Sequence, residues 1–206
     1  MKSFVFFFIF FCIQGLSAQK KVQKTIFDTQ DTAIEINANN CFLVTITTAK
    51  TNEISVEAQM DGEYSNDLLL NVHEEGKTLL VNTSFSPVFE LPNDKLAAHK
   101  VLSISLKISI PENMKVQLYG THGTVNASGT YQNISVTLND GNCVLRNVSY
   151  KAQVTTQSGT IELYTKSGSV TAVSKYGKVI SEKMAKGIQH YSLNSVTGNI
   201  HIYKTE

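Results

Sequence analysis

Arginine is almost missing from this 206-residue chain: Arg146 is the single one. Charge of either sign is also scarce in excess, with 18 basic residues against 17 acidic, and 17 against 17 once Lys2 is set aside with the first 18 residues. Phosphate affinity depends on clustered Lys and Arg, so this balance excludes nucleic acid as a main partner. Long hydrophobic runs are lacking too. Phe4 to Ile13 gives an apolar stretch of about ten residues, short of the roughly 18 that a membrane-spanning helix wants. The five histidines, His73, His99, His122, His190 and His201, stand at no metal-ligand spacing with one another, a cysteine or a carboxylate. No Gly-x-Ser-x-Gly elbow, phosphate loop or nucleotide fingerprint occurs. The chain is therefore expected to carry no catalytic residues, no metal and no cofactor.

Two segments stand apart from the rest. Residues 1–18 combine a basic start at Lys2, the apolar stretch and the small residues Gly15-Leu16-Ser17-Ala18, the pattern of a cleaved secretory signal. The remainder, 19–206, is expected to form one domain in the periplasm, at the cell surface or in the medium, with no membrane-spanning segment of its own. Ser84 to Lys100, with Pro87 and Pro92, breaks the strand pattern and reads as a long surface excursion.

What dominates the sequence is a beat of glycines. Gly123, Gly141, Gly159 and Gly177 fall 18 residues apart and Gly198 follows after 21. Two residues after each stands Val125, Cys143, Ile161, Val179 or Ile200; four after stands Ala127, Leu145, Leu163, Ser181 or Ile202. The intervening Asn126, Val144, Glu162, Ile180 and His201 then face the other way. A second alternating strand precedes each glycine, as in Val116/Leu118, Ile134/Val136 and Tyr191/Leu193. Each repeat is strand, glycine turn, strand and return, and the turn suits a residue at positive φ. Eighteen residues are too few for a strand with its crossover helix, which needs about 30. They suit one coil of a right-handed parallel β-helix, a β-solenoid whose layers stack about 4.8 Å apart; a β-sandwich is the alternative.

The opening region, residues 32–110, alternates at period two without the glycine beat and is expected to form irregular opening coils or a cap; the regular coils occupy 111–206. Because no helix follows Ile202, the last coil is expected to present its edge at Ile200 to Tyr203, either covered by the N-terminal region, capped by a partner or used for self-association. Cys143 occupies an inward position and reads as a small buried hydrophobe rather than as the disulfide partner of Cys41, about a hundred residues away in sequence.

Tyrosine is concentrated on outward or corner positions. Tyr164 and Tyr203 both lie five residues after their glycine, with Arg146 and Glu182 at that position in other coils and Tyr119 nearby. Outward tyrosines stack on sugar rings or anchor protein partners, so Tyr164, Tyr203, Tyr119 and Arg146 are the candidate ligand-binding residues, for a glycan or an envelope protein. The alternatives for such aromatics are simple strand preference, or, for the scaffold, a polysaccharide-processing enzyme or a structural or regulatory envelope component.

The alternating Ile34-Glu35-Ile36, Val44-Thr45-Ile46-Thr47 and Ile54-Ser55-Val56-Glu57 segments, then Ile108-Ser109-Ile110-Pro111 and the Ser158-Gly159-Thr160-Ile161-Glu162-Leu163 and Thr197-Gly198-Asn199-Ile200-His201-Ile202 coils, resemble the bacterial putative adhesin family of exported β-helix proteins. A related adhesin head-domain group carries a Gly-Ile-Asn motif; Gly187-Ile188-Gln189 stands here instead. The resemblance implies a non-catalytic exported β-helix with an adhesive or envelope role, and it implies no catalytic residues.

Overall fold

The computed structural model describes residues 19–26, 33–89 and 102–206; the signal-like segment and most of the Ser84 to Lys100 excursion lie outside them. The described chain is all-β, its one helical element being a 3-10 turn at Ser65–Asp67. Fifteen strands build one mixed sheet. In chain order they are β1 (Lys20–Ile26), β2 (Ala33–Asn37), β3 (Leu43–Ala49), β4 (Ile54–Asp61), β5 (Leu68–Glu75), β6 (Thr78–Phe85), β7 (Ser103–Pro111), β8 (Lys115–Gly120), β9 (Thr124–Leu138), β10 (Asn142–Thr156), β11 (Ile161–Thr165), β12 (Ser167–Ser174), β13 (Val179–Ser181), β14 (Ala185–Ser195) and β15 (Ile200–Lys204).

The glycine beat is the register of the sheet. Val125 pairs with Cys143 and Cys143 with Ile161, each in parallel and 18 residues on. Before the glycines, Val116 pairs with Ile134 and Ile134 with Ala152 in the same way. Every coil therefore gives one strand to a row before the glycine and one to a row after it. The inward side chains of the two rows form one continuous hydrophobic cluster from Ile34 to Ile202. Cys41 and Cys143 are both buried free thiols in it. Burial pushes the Cys143 thiol up to about 12 and the Cys41 thiol up to about 11, the latter against the Thr83 hydroxyl contact that lowers it. Thiolate chemistry is thereby withheld from both.

Four sequence expectations need correction. First, the sheet is not parallel throughout. β4 runs antiparallel to β7, β1 antiparallel to β4, and β5 antiparallel to β6. Period-two alternation reports which face a side chain takes but is blind to strand direction, so the opening region's pairing was beyond its reach.

Second, the last two coils are not stacked in chain order. Ile161 pairs with Ile200, not with Val179, and Val179 lies beyond Ile200. In the other row Ala152 pairs with Tyr191, and Val170 lies beyond Tyr191. The final coil, β14 and β15, has returned and inserted between its two predecessors. Hydrophobic burial explains the choice. The inserted coil points Tyr191, Leu193, Ile200 and Ile202 inward, all buried, whereas the coil left at the end offers Val170, Ala172, Val179 and Ser181. Burying a large aliphatic side chain stabilises by about 1.5 to 3 kcal/mol, so the larger set takes the interior layer.

Third, it follows that the C-terminal strand is not the open edge. β15 is paired on both sides, and Ile200 is fully buried. Among the described residues the free edge at this end is β12 and β13, residues 167–181, each paired there on one side only.

Fourth, of the five beat glycines only Gly123 has positive φ. The others are required by close approach. A Cβ on Gly141 would meet the Gly123 carbonyl, one on Gly159 the Gly141 carbonyl, one on Gly198 the Gly159 carbonyl and one on Gly177 the Gly198 carbonyl. The glycines stack backbone on backbone, and their contact order repeats the inserted coil. Positive φ sits instead at the opposite corner, at Asn113, Gly129, Asn147, Tyr150 and Gly168.

Candidate functional site

Outward positions five residues after each glycine form a straight column, because parallel pairing in register places equivalent side chains one strand spacing apart. Ser128 pairs with Arg146, Arg146 with Tyr164, and Tyr164 with Tyr203. In chain order Glu182 would separate the two tyrosines. Insertion of the final coil removes it from between them and brings the rings together. Glu182 lies past Tyr203 instead, its main-chain N–H donating to Ile202 O at 3.0 Å and its Oε2 accepting from Lys204 N at 2.8 Å.

The column is a stack of planar groups. The Arg146 guanidinium carbon lies 4.0 Å from the centre of the Tyr164 ring, well within cation–π range. The Tyr164 and Tyr203 rings stack at 4.8 Å between centroids, 22° apart in plane. Two residues back along the same two strands, β11 and β15, Glu162 pairs with His201 on the same outward surface. The His201 ring lies parallel to that of Tyr203 at 6.1 Å, and the Tyr164 hydroxyl donates to Glu162 Oε2 at 3.0 Å. That hydrogen bond to Glu162, more than any burial, holds the Tyr164 phenol above its ordinary range, with Arg146 pulling the other way. The result is a strip of five side chains carrying a fixed cation, a carboxylate, an imidazole and two phenols on three adjacent parallel strands, β10, β11 and β15. Tyr164 has Arg146 against one side and Tyr203 stacked on it, so the strip presents ring edges and hydroxyls more than open ring faces.

Three of the four candidate residues, Arg146, Tyr164 and Tyr203, are thus brought together. Tyr119 is not. It is exposed on β8 in the other strand row, between Asn37 and Thr137, with its hydroxyl 3.5 Å from Gln117 Oε1. Glu162 and His201 belong to the strip without having been singled out. Their signal was present, since both stand at the outward position three residues after a glycine.

A second polar column runs along the corner itself. His122 Nδ1 lies 3.4 Å from Asp140 Oδ2, and the Ser158 hydroxyl donates to Asp140 Oδ1 at 2.6 Å. The carboxylate stands between the imidazole and the hydroxyl, so the imidazole is not the group bonded to Ser158, as activation of a serine nucleophile requires. Elsewhere, a shallow concavity of about 250 Å3 is lined by Asn147, Ser149, Thr165, Lys166, Ser167 and Gln189 among others. Among the described residues no group of three or more His, Cys, Asp or Glu is arranged to hold a metal ion. No described helix is long and apolar enough to cross a membrane.

No family model matches the sequence, and no curated protein matches it. Among solved structures, the chain resembles a putative cell adhesion protein from Clostridium sporogenes at 14% identity, over 91% of this chain and 100% of that one, with a TM-score of 0.64. It also matches a putative adhesin from Bacteroides fragilis at 13% identity over 89% of this chain and 97% of that one, though with a TM-score of 0.40. At these identities the first likeness is one of fold, and the second adds nothing to it.

Proposed function

We propose that this protein is a non-catalytic, exported adhesion or envelope-interaction protein, and that the strip of Arg146, Tyr164 and Tyr203, flanked by Glu162 and His201, is its ligand-contacting surface. The observation that carries this reading is the rearrangement of coil order: the interior layer it creates sets two tyrosines and the chain's single arginine side by side on an outward face. Rigid, planar, amphipathic side chains of this kind are the residues that dominate binding energy at interfaces. On this reading the parallel portion winds as a right-handed β-helix, the hand that parallel crossovers favour. The antiparallel N-terminal strands then cover its first layer, and residues 19–206 form a single domain.

The ligand is a glycan or an extended envelope component that lies along the strip and receives hydrogen bonds from Arg146 and the Tyr203 hydroxyl, while the Tyr164 hydroxyl, whose proton goes to Glu162, accepts. The corner column supports the non-catalytic side of the proposal, because its carboxylate separates the imidazole from the hydroxyl. Screening the purified protein against arrayed host and bacterial glycans tests the reading. Saturable binding that falls at least tenfold in Tyr164→Ala and Tyr203→Ala, and stays unchanged in Tyr119→Ala, is the expected result. Binding indifferent to Tyr164 and Tyr203, or release of new reducing ends or unsaturated sugars from a polysaccharide, would overturn it.

A further inference from the structure

The concavity beside the strip is built where two chain segments pass each other. β11 runs through Thr165-Lys166-Ser167 into β12, which lies a layer beyond β14, while the chain coming back from β13 enters β14 between β10 and β12. Two strand pairs lose register at this corner: β10 shifts against β9 between Arg146 and Ser149, and β12 against β14 between Ser167 and Ser169. Asn147 and Tyr150 take positive φ on either side of Ser149. Bulges re-aim the side chains they displace, and sparsely populated backbone conformations gather at ligand sites. Here they surround the hollow of about 250 Å3.

Its floor is closed. The buried Tyr191 hydroxyl donates to Val148 O at 2.6 Å, and the Thr165 hydroxyl stands 3.0 Å from that phenol and 3.1 Å from Ser167 O. Its walls keep polar groups to spare. Asn147 Oδ1 accepts from the Thr205 hydroxyl at 3.3 Å, which leaves the Asn147 amide NH2. The Ser167 hydroxyl donates to Gln189 Oε1 at 3.5 Å, which leaves the Gln189 NH2 and a Ser167 lone pair. The Ser149 hydroxyl and the exposed Lys166 ammonium have no partner among the described residues. No carboxylate lines the concavity. Glu206, one residue past Thr205, forms no ion pair with Lys166. Because Asn147 follows Arg146 and Thr165 follows Tyr164, the concavity opens at the ends of the strip's own strands.

We propose that this concavity is an acid-selective subsite of the same surface: it seats one sugar residue bearing a carboxylate, with Lys166 paired to the carboxylate and Asn147, Ser149, Ser167 and Gln189 bonded to ring hydroxyls. The inference rests on the glycan-binding reading of the strip and names the class of glycan. Size sets the occupant to a single residue of a longer chain, since the hollow falls below the roughly 300 to 1,000 Å3 of pockets that enclose a whole drug-sized ligand. Chemistry sets it to an acidic sugar. Hydroxyl and amide groups both donate and accept, as sugar hydroxyls do, whereas a phosphate only accepts and calls for clustered cations. The lone ammonium, free of any ion pair, suits one carboxylate.

Calorimetric titration of the purified protein tests this with hexuronic-acid oligosaccharides and sialylated oligosaccharides, each beside its carboxyl-reduced or desialylated counterpart. The expected result is that at least one acidic sugar binds about tenfold or more tightly than its uncharged counterpart, the scale of a charge-assisted hydrogen bond. Lys166→Gln should abolish that preference and Lys166→Arg should retain most of it, while Lys178→Gln, at an exposed position on β12's side of the next glycine turn, leaves it intact. Acidic and uncharged sugars bound alike, or a preference that survives Lys166→Gln, would overturn the subsite. If that binding still fell in Tyr203→Ala, the strip would stand without it. A preference lost in Lys166→Gln but indifferent to Tyr203→Ala would keep the concavity as the site and discard the strip. Inorganic phosphate displacing the sugar at equal concentration would reduce the site to simple anion binding and overturn the proposal, and binding of no sugar at all would overturn both readings.

Discussion

Gly159→Val is expected to destabilise the protein by about 3 kcal/mol or more, or to prevent folding altogether. Gly159 lies in the middle of the glycine stack. A Cβ there would fall inside the Gly141 carbonyl, and on its other side the Gly159 carbonyl is the atom that a Cβ on Gly198 would strike. Backbone atoms cannot swing aside as a side-chain terminus does. The layers would have to part locally, at the point where the Cys143 and Ile161 amides donate to Thr160 O and Asn199 O. The same carbonyl of Gly159 accepts from the buried Thr156 hydroxyl at 2.8 Å, and Thr156 lies 3.1 Å from Ser195 Oγ. Overpacking costs about 1 to 3 kcal/mol where neighbours can shift; a rigid backbone wall puts this site at or beyond the top of that range. Gln157→Val, exposed two residues earlier, should change stability by less than about 0.5 kcal/mol. Denaturant midpoints compare the two, and a Gly159→Val protein as stable as the parent would refute the backbone stack.

Tyr131→Ala should cost about 3 to 5 kcal/mol. Tyr131 is the largest of the fully buried side chains, and it fills the corner opposite the glycines. Its hydroxyl lies 2.9 Å from both Ile46 O and Ser128 O. One proton serves two carbonyls there, tying β3 to the corner of β9. Burial raises the phenol well above its ordinary range, so the group stays neutral and able to donate. Tyr131→Phe keeps the ring and removes only that donor, and should cost about 1 kcal/mol. Urea unfolding that ranks Ala far below Phe, with Phe just below the parent, is the expected order; equal losses would mean that the hydroxyl, not the packing, holds the corner.

The sequence carried the repeat clearly because the stacked backbone tolerates no side chain at one point per coil, and that constraint recurs every 18 residues as long as coils are equal. It could not carry the order of the layers. Gly177 and Gly198 look like successive steps, yet Gly198 contacts Gly159 and Gly177 contacts Gly198. A residue count along the chain says nothing of which coil comes next in space. A comparison of side-chain size does bear on it: Tyr191, Leu193, Ile200 and Ile202 are a core set, and Val170, Ala172, Val179 and Ser181 are an end-layer set. Glycine itself misled in a second way, since it marks either a positive φ or a close approach, and only Gly123 in the beat has the former.

The candidate site was half legible for the same reason. Alignment on the glycines placed Arg146, Tyr164 and Tyr203 in one outward column, but the stacking of the two tyrosines depends on the displaced coil that takes Glu182 out of the gap. Tyr119 shared their chemistry and not their row, and the direction of β4, β5 and β1 was invisible to an alternating pattern that reads the same both ways.

The inserted coil is the claim on which the strip, the glycine stack and the corner concavity all rest, and residue-resolved amide hydrogen exchange on the monomer tests it directly. Amides of Ile200 to Ile202, held between β11 and β13, are expected to exchange only with global unfolding, and those of Val179 to Ser181 on the outer layer to exchange much faster through local opening. Fast exchange along Ile200 to Ile202 with protection of Val179 to Ser181 would contradict it, returning the coils to chain order and separating Tyr164 from Tyr203.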